Sequence, residues 1–178
     1  MENNDILSWS KEHFLKWSDF KADFNPAAFE DSFSQIRYHH TWIIDSEMSN
    51  GDIYFLISNI KLETQFLKHL SWVKLQNASS TLLDHEQGHF DLAEFMKPNF
   101  EELLKKKFYG IKFPTRGQNE DQRKQFARED SGYFILKELK KFSKILERER
   151  EKYSEETDYG KISKIQKAYQ EKFRILRI

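Results

Sequence analysis

The sequence predicts a mixed α+β fold: a small antiparallel β-sheet in the N-terminal part, packed on one motif-bearing helix and two further long C-terminal helices. Three observations carry this expectation. β-branched and aromatic residues concentrate between residues 34 and 62, the turn signal Asn50-Gly51-Asp52 divides them, and apolar residues recur at three-to-four spacing from about residue 80 onward. The 178 residues are expected to form a single domain 1–178, β-rich over 1–75 and helical over 76–178.

In chain order, Trp9, Phe14, Trp17, Phe20, Phe24, Phe29 and Phe33 begin an aromatic-rich front third that is expected to supply core. Ser34 to Ser46 reads as a first strand. The Asn-Gly pair favours a tight hairpin turn, and Ile53 to Leu62 reads as a second strand. Strict alternation puts Ile53, Phe55, Ile57 and Asn59 on one face, and Tyr54, Leu56, Ser58 and Ile60 on the other. An edge strand of such a sheet could hold an extended peptide by β-augmentation. Asn77, Ser79 and Ser80 offer N-caps to a helix carrying Leu82, Leu83, Phe90, Ala93, Phe95 and Met96. Pro98 is expected to kink or restart that helix before Phe100, Leu103 and Leu104. Residues 110–117 read as a loop and residues 119 to about 152 as a long helix whose charged run, Glu147 to Lys152, is a solvated face. A last helix carries Ile162, Ile165, Tyr169, Phe173 and Leu176.

Composition narrows the function classes. Lys+Arg and Asp+Glu both number 29, so the net charge is zero, which argues against a basic surface for nucleic acid. No apolar run reaches the length of a membrane span. With no cysteine, thiolate ligands and disulfides are excluded. The start Met1-Glu2-Asn3-Asn4-Asp5 is acidic and lacks the apolar stretch of a signal peptide. As written the chain is expected in the cytoplasm, or secreted or periplasmic if a leader has been removed.

The most specific feature is His85-Glu86-Gln87-Gly88-His89. On a helix, histidines at i and i+4 stack one turn apart and can grip one Zn²⁺ at about 2.0–2.1 Å each. Glu86 then lies beside the ion, placed to take a proton from metal-activated water. This H-E-x-x-H spacing points to zinc-dependent peptidases of the zincin type. Gly88 suits a close approach by another backbone or by substrate, because it costs the helix about 1 kcal/mol relative to Ala.

A third ligand is needed. The histidine that often stands six residues beyond the second is absent, with Phe95 in its place, and His13, His39, His40 and His69 all lie upstream. The downstream segment Tyr153-Ser154-Glu155-Glu156-Thr157-Asp158-Tyr159-Gly160 supplies the candidates. Glu156 would complete a His₂Glu site, and Tyr159 could donate to the oxyanion of a tetrahedral intermediate. Glu155, Asp158 and Tyr159 itself are the other possible ligands. Asp91 or Asp84 could orient a ligating imidazole.

Four segments together resemble a bacterial domain family of unknown function whose members are regarded as secreted zinc-dependent proteases. They are Leu15-Lys16-Trp17-Ser18-Asp19-Phe20, Ser71-Trp72-Val73, Leu83-Asp84-His85-Glu86-Gln87-Gly88-His89-Phe90-Asp91, and Tyr153 to Gly160. The last is similar to Tyr-x-x-Glu-Thr-x-His-Gly. This chain keeps Tyr153, Glu156, Thr157 and Gly160, with Tyr159 where a histidine is usual. The resemblance implies a zincin-like fold and peptide hydrolysis. If the family's histidine is an oxyanion donor, a phenol replaces it with least loss, leaving Glu156 as the ligand.

The expected function is therefore a zinc metallopeptidase acting on a peptide or protein substrate, with no nucleic-acid or membrane partner. Zn²⁺ would sit on His85, His89 and Glu156, Glu86 would be the general base, and Tyr159 would stabilise the oxyanion. The alternatives are a catalytically inactive zincin-like domain that binds a protein, a non-peptidase hydrolase using the same chemistry, and a helical binding module in which the motif is accidental.

Overall fold

The computed structural model describes residues 5–178. The reading of the N-terminus as lacking a signal peptide falls largely on residues 1–4, outside the described residues. Among the described residues the architecture is mixed α+β, with small antiparallel sheets and three α-helices. The strands are β1 (Ile6–Ser8), β2 (Ser32–Phe33), β3 (Ile36–Ser49), β4 (Asp52–Leu67), β5 (Trp72–Val73) and β6 (Phe113–Pro114). The helices are α1 (Ser80–Phe108), α2 (Glu120–Thr157) and α3 (Ser163–Phe173), the last followed by a 3₁₀ turn at Arg174–Arg177. Only α2, with 38 residues, is a long helix behind the motif helix; α3 has 11, so the expected second long C-terminal helix is a short one. No described helix is long and apolar enough to cross a membrane.

The main sheet has the order β1-β4-β3, with β6 also paired to β4, and β2 pairs with β5 in a separate ribbon. Asn50 and Gly51 both have positive φ, 54° and 86°, as a two-residue type I′ hairpin turn requires. β3 alternates between the two faces of the sheet from Ile36 to Asp45 and changes phase at Ser46. β4 does not keep one parity. Phe55 and Ile57 are buried, and then Asn59 takes φ 48°, after which Ile60, Leu62, Thr64 and Phe66 are buried instead. A left-handed residue inside a strand shifts its alternation as a β-bulge does. The sequence-based face assignment therefore holds up to Ile57 and inverts at Ile60.

The chain forms two compact units. β3, β4, α1 and α2 each contribute to both. One unit comprises the described residues up to 39 together with 63–97 and 145–178. Its core gathers Leu15, Phe20, Ile36, Phe66, Val73, Phe90, Ala93 and Leu146, with Trp9, Trp17 and Tyr38 packed around them. Phe66 is fully buried, its ring 5.1 Å from Phe20 and 5.9 Å from Phe90. A second cluster of Leu92, Tyr153 and Phe173 seats α3.

The other unit comprises residues 40–62 and 98–144. Phe100 stacks on Phe142 at 4.4 Å, and Phe113 lies between Phe55 (5.2 Å) and Phe134 (5.3 Å). Trp42 donates its indole N–H to Ser131 at 2.9 Å. Ser79, as expected, caps α1, accepting from the backbone N–H of Leu82 at 3.1 Å. The helix then runs unbroken through Pro98, which sits inside it.

Phe66 anchors the first unit's core from the sheet side. Phe66→Ala is expected to lower the unfolding free energy by about 3–5 kcal/mol, read as a fall in the urea midpoint at unchanged slope.

Candidate metal centre

His85 and His89 project from one face of α1, one turn apart, with ring centroids 4.7 Å from each other. His85, Glu86 and His89 are all buried, and each offers a donor atom within 4.8 Å of the others. This His-Glu-His cluster could hold a metal ion. All of its surroundings described below belong to the first compact unit.

The end of α2 closes over it. Arg150, Tyr153, Ser154 and Thr157 follow an i, i+3, i+4, i+7 pattern, so they share one face of that helix. Tyr153 is fully buried and its ring lies nearly parallel to His85 at 4.7 Å. Its hydroxyl donates to the His85 carbonyl at 3.1 Å and accepts from the Gln166 amide at 2.8 Å. Gly88 makes this possible: a Cβ there would stand 2.0 Å from the Tyr153 hydroxyl oxygen. The close approach expected at Gly88 is thus made by a side chain from another helix.

Beyond Thr157 the chain leaves α2 through three consecutive left-handed residues, Asp158 (φ 46°), Tyr159 (φ 54°) and Gly160 (φ 85°). Such a backbone costs L-residues about 1–2 kcal/mol each. Gly160 is also tight against α1, because a Cβ would lie 2.9 Å from the Cβ of His85.

Hydroxyls and one guanidinium complete the polar surroundings. Ser32 donates to one Glu86 oxygen at 2.6 Å, and Ser34 donates to the other. Ser154 Oγ lies 3.4 Å from His85 Nε2 and 3.2 Å from His89 Nε2, so both nitrogens converge on it. Thr157 Oγ1 is 3.3 Å from His85 Nδ1. Arg150 donates from Nε to His89 Nδ1 at 3.2 Å and from Nη2 to the Ser34 carbonyl at 2.7 Å.

Burial is the main cause of the electrostatic shifts here. It pushes the His85 pKa down, with Glu86 pulling back and Arg150 adding to the fall. It pushes His89 well below the ordinary value, reinforced by the charges of Arg150 and His85. It lowers Arg150 as well, opposed by Glu86 and Glu147.

No family model, curated protein or solved structure matches this chain.

The structure brings together His85, Glu86 and His89, as the motif spacing requires, and places Tyr159 beside them. The Tyr159 ring is 6.2 Å from His85 and 44% exposed. Glu156 is not brought in. It is exposed on another face of α2, hydrogen-bonded by the Tyr169 hydroxyl and 3.9 Å from the Lys152 ammonium. The expectation of a Glu156 ligand is corrected accordingly: one residue of helix rotation, about 100°, gives the inward position to Thr157. Glu155 and Asp158 are exposed too. Asp91 does not orient a histidine. It accepts from Trp9 (2.8 Å) and Gln87 (2.9 Å) and pairs with Arg177 (2.7 Å). Asp84 is exposed, and its backbone carbonyl accepts from Gln166 Nε2 at 3.4 Å.

Sequence reasoning missed Ser32, Ser34, Arg150 and Ser154. Arg150 lay inside the run read as a solvated charged face, where its neighbours 147–149, 151 and 152 are indeed exposed. The signal that could have found it was the helical spacing of 150, 153, 154 and 157.

Gly88→Ala is expected to destabilise by about 1–3 kcal/mol although Ala is the better helix former, because Tyr153 must move. The loss should shrink in a Tyr153→Ala background, which a double-mutant cycle in urea would read. Acid should also destabilise the fold. With folded-state pKa values below the unfolded value of about 6.5, the two histidines favour unfolding only where the unfolded chain takes up protons and the folded one does not. Their contribution is intact above about pH 6.5 and is lost as the pH falls below it. Melting temperatures at pH 7.5 and 5.5 test this, and His89→Gln should narrow the gap.

Proposed function

We propose that this chain is a zincin-like, zinc-dependent hydrolase acting on peptide bonds. The observation that carries the reading is the convergence of His85 Nε2 and His89 Nε2 on one point beside the Glu86 carboxylate. Imidazole nitrogens suit zinc among the divalent ions available to a cysteine-free site. His85 and His89 would hold the ion, and Ser154 Oγ is the further protein oxygen nearest both nitrogens. When bound, zinc would supply a Lewis acid and acidify a water toward a pKa of about 7.

The chain's own groups fit the rest of the chemistry. Glu86 accepts the proton and returns it to the leaving amine, its oxygens held in place by Ser32 and Ser34. Thr157 sets His85: its hydroxyl donates to the Tyr153 carbonyl at 2.7 Å, so toward His85 it accepts, keeping the proton on Nδ1 and the lone pair on Nε2. Tyr159, half-exposed at the rim, is the oxyanion donor. A peptide or protein is the substrate class this arrangement serves.

One observation favours the second reading, an inactive zincin-like domain that binds a protein. Among the described residues every buried side-chain nitrogen and oxygen already has a hydrogen-bond partner, so the site closes on itself.

The two readings separate cleanly. The hydrolase should carry about one zinc per chain, lost in His85→Ala. Glu86→Gln should keep the zinc and lose on the order of 10²–10⁴ in the rate of hydrolysis of a peptide library. A protein that takes up no zinc from zinc-supplemented buffer, and melts identically with and without chelator, is the binding module.

A further inference from the structure

We propose that Arg150 is a latch: its guanidinium holds His89 in the tautomer that cannot ligate, so that metal capture and the Arg150–His89 contact exclude each other. The inference rests on the metal-site reading above and goes beyond it, assigning a control device to the same site.

The direction of each hydrogen bond fixes the tautomers of the two histidines. A guanidinium is a donor only, so His89 Nδ1, 3.2 Å from Arg150 Nε, is an acceptor. Neutral His89 then carries its proton on Nε2, facing Ser154 Oγ at 3.2 Å. Ser154, having accepted that proton's hydrogen bond, donates its own to His85 Nε2 at 3.4 Å. His85 donates from Nδ1 to Thr157, and Thr157 donates to the Tyr153 carbonyl. Starting from the guanidinium, each contact assigns the role of the next atom, and the chain ends on Thr157, whose hydroxyl donates to the main-chain carbonyls of Tyr153 and Ser154.

The two histidines of the motif are therefore inequivalent. His85 presents a lone pair at the convergence point, whereas His89 presents an N–H. For His89 to bind an ion through Nε2, its proton must pass to Nδ1, where it would face the Arg150 Nε–H. Two donors cannot share that contact, so the guanidinium must leave. It is tethered in place by the Ser34 carbonyl at 2.7 Å and attracted by Glu86. Glu147, three residues earlier on the same helix and exposed, attracts it too and gives the released side chain an acceptor toward solvent.

The test combines nitrogen NMR with metal titration on the full chain. Long-range ¹H–¹⁵N spectra of the metal-free protein should show His85 protonated on Nδ1 and His89 on Nε2, and added zinc should move the His89 proton to Nδ1. Arg150→Met should bind zinc on the order of tenfold more tightly or better, measured by competition with a chelating dye. His89 protonated on Nδ1 in the metal-free protein, or equal zinc affinity in the two proteins, overturns the latch while leaving the metal site standing. Failure of both proteins to bind zinc overturns the metal site and the latch with it. If Arg150→Met does not fold, the tautomers of the unaltered protein before and after zinc decide the question.

Discussion

The contact on which the site depends is the seating of Tyr153 against Gly88. A single missing side chain on α1 lets the last turns of α2 lie on the motif helix at ring-stacking distance from His85. From that one approach follow the positions of Ser154 and Thr157 against the two imidazoles, the reach of Arg150 to His89, and the turn that returns through Gly160 to the Cβ of His85. The cost of a glycine inside a helix, about 1 kcal/mol, is thereby offset by tertiary packing that no other residue would permit. The left-handed run at 158–160 ends α2 just beyond this contact and carries Tyr159 to the rim.

A second constraint is electrostatic. Glu86 and Arg150 carry opposite charges into a region from which water is largely excluded, where an unpaired charge would be severely penalised. The fold meets this with short, numerous contacts: two serine hydroxyls on the carboxylate, and a histidine nitrogen and a carbonyl on the guanidinium. The opposite side of α1 uses a separate set, in which Asp91 binds Trp9, Gln87 and Arg177 and fixes the C-terminal 3₁₀ turn to the N-terminal segment. The motif's two intervening residues thus have distinct structural duties. Gln87 also accepts from the Leu15 backbone at 2.7 Å and ties the N-terminal segment to α1, while Gly88 admits Tyr153.

How far this was legible depends on whether a feature is local. The Asn50-Gly51 turn, the Ser79 cap and the motif helix rest on short-range chemistry, and each lies where the residues indicate. The inversion of β4 at Asn59 was not legible, because alternation assumes an unbroken pleat and nothing in the neighbouring residues marks a bulge. The end of α2 was misjudged for a comparable reason. The Glu, Arg and Lys residues of 147–152 are good helix formers, whereas Tyr153, Ser154 and Thr157 are weaker ones, so propensity alone does not carry the helix past about residue 152. Tertiary contact with α1 carries the helix to Thr157 and thereby decides which of Glu156 and Thr157 faces the histidines.

Spacing at i and i+4 dictates that two imidazoles converge; it says nothing about which of their nitrogens carry protons. That is set by what each ring's other nitrogen meets: for His85 an accepting hydroxyl, for His89 a donating guanidinium, both presented by a helix more than sixty residues away in sequence. A hydroxyl that accepts from Nδ1 leaves Nε2 a ligand, and a guanidinium that donates to Nδ1 makes Nε2 a donor. The same motif on the same helix is thus half ready for an ion and half closed against one, and the difference lies wholly in α2. The chemistry of this site is consequently a property of how α2 is held, and any event that shifts Arg150 on that helix changes what the histidines are able to bind.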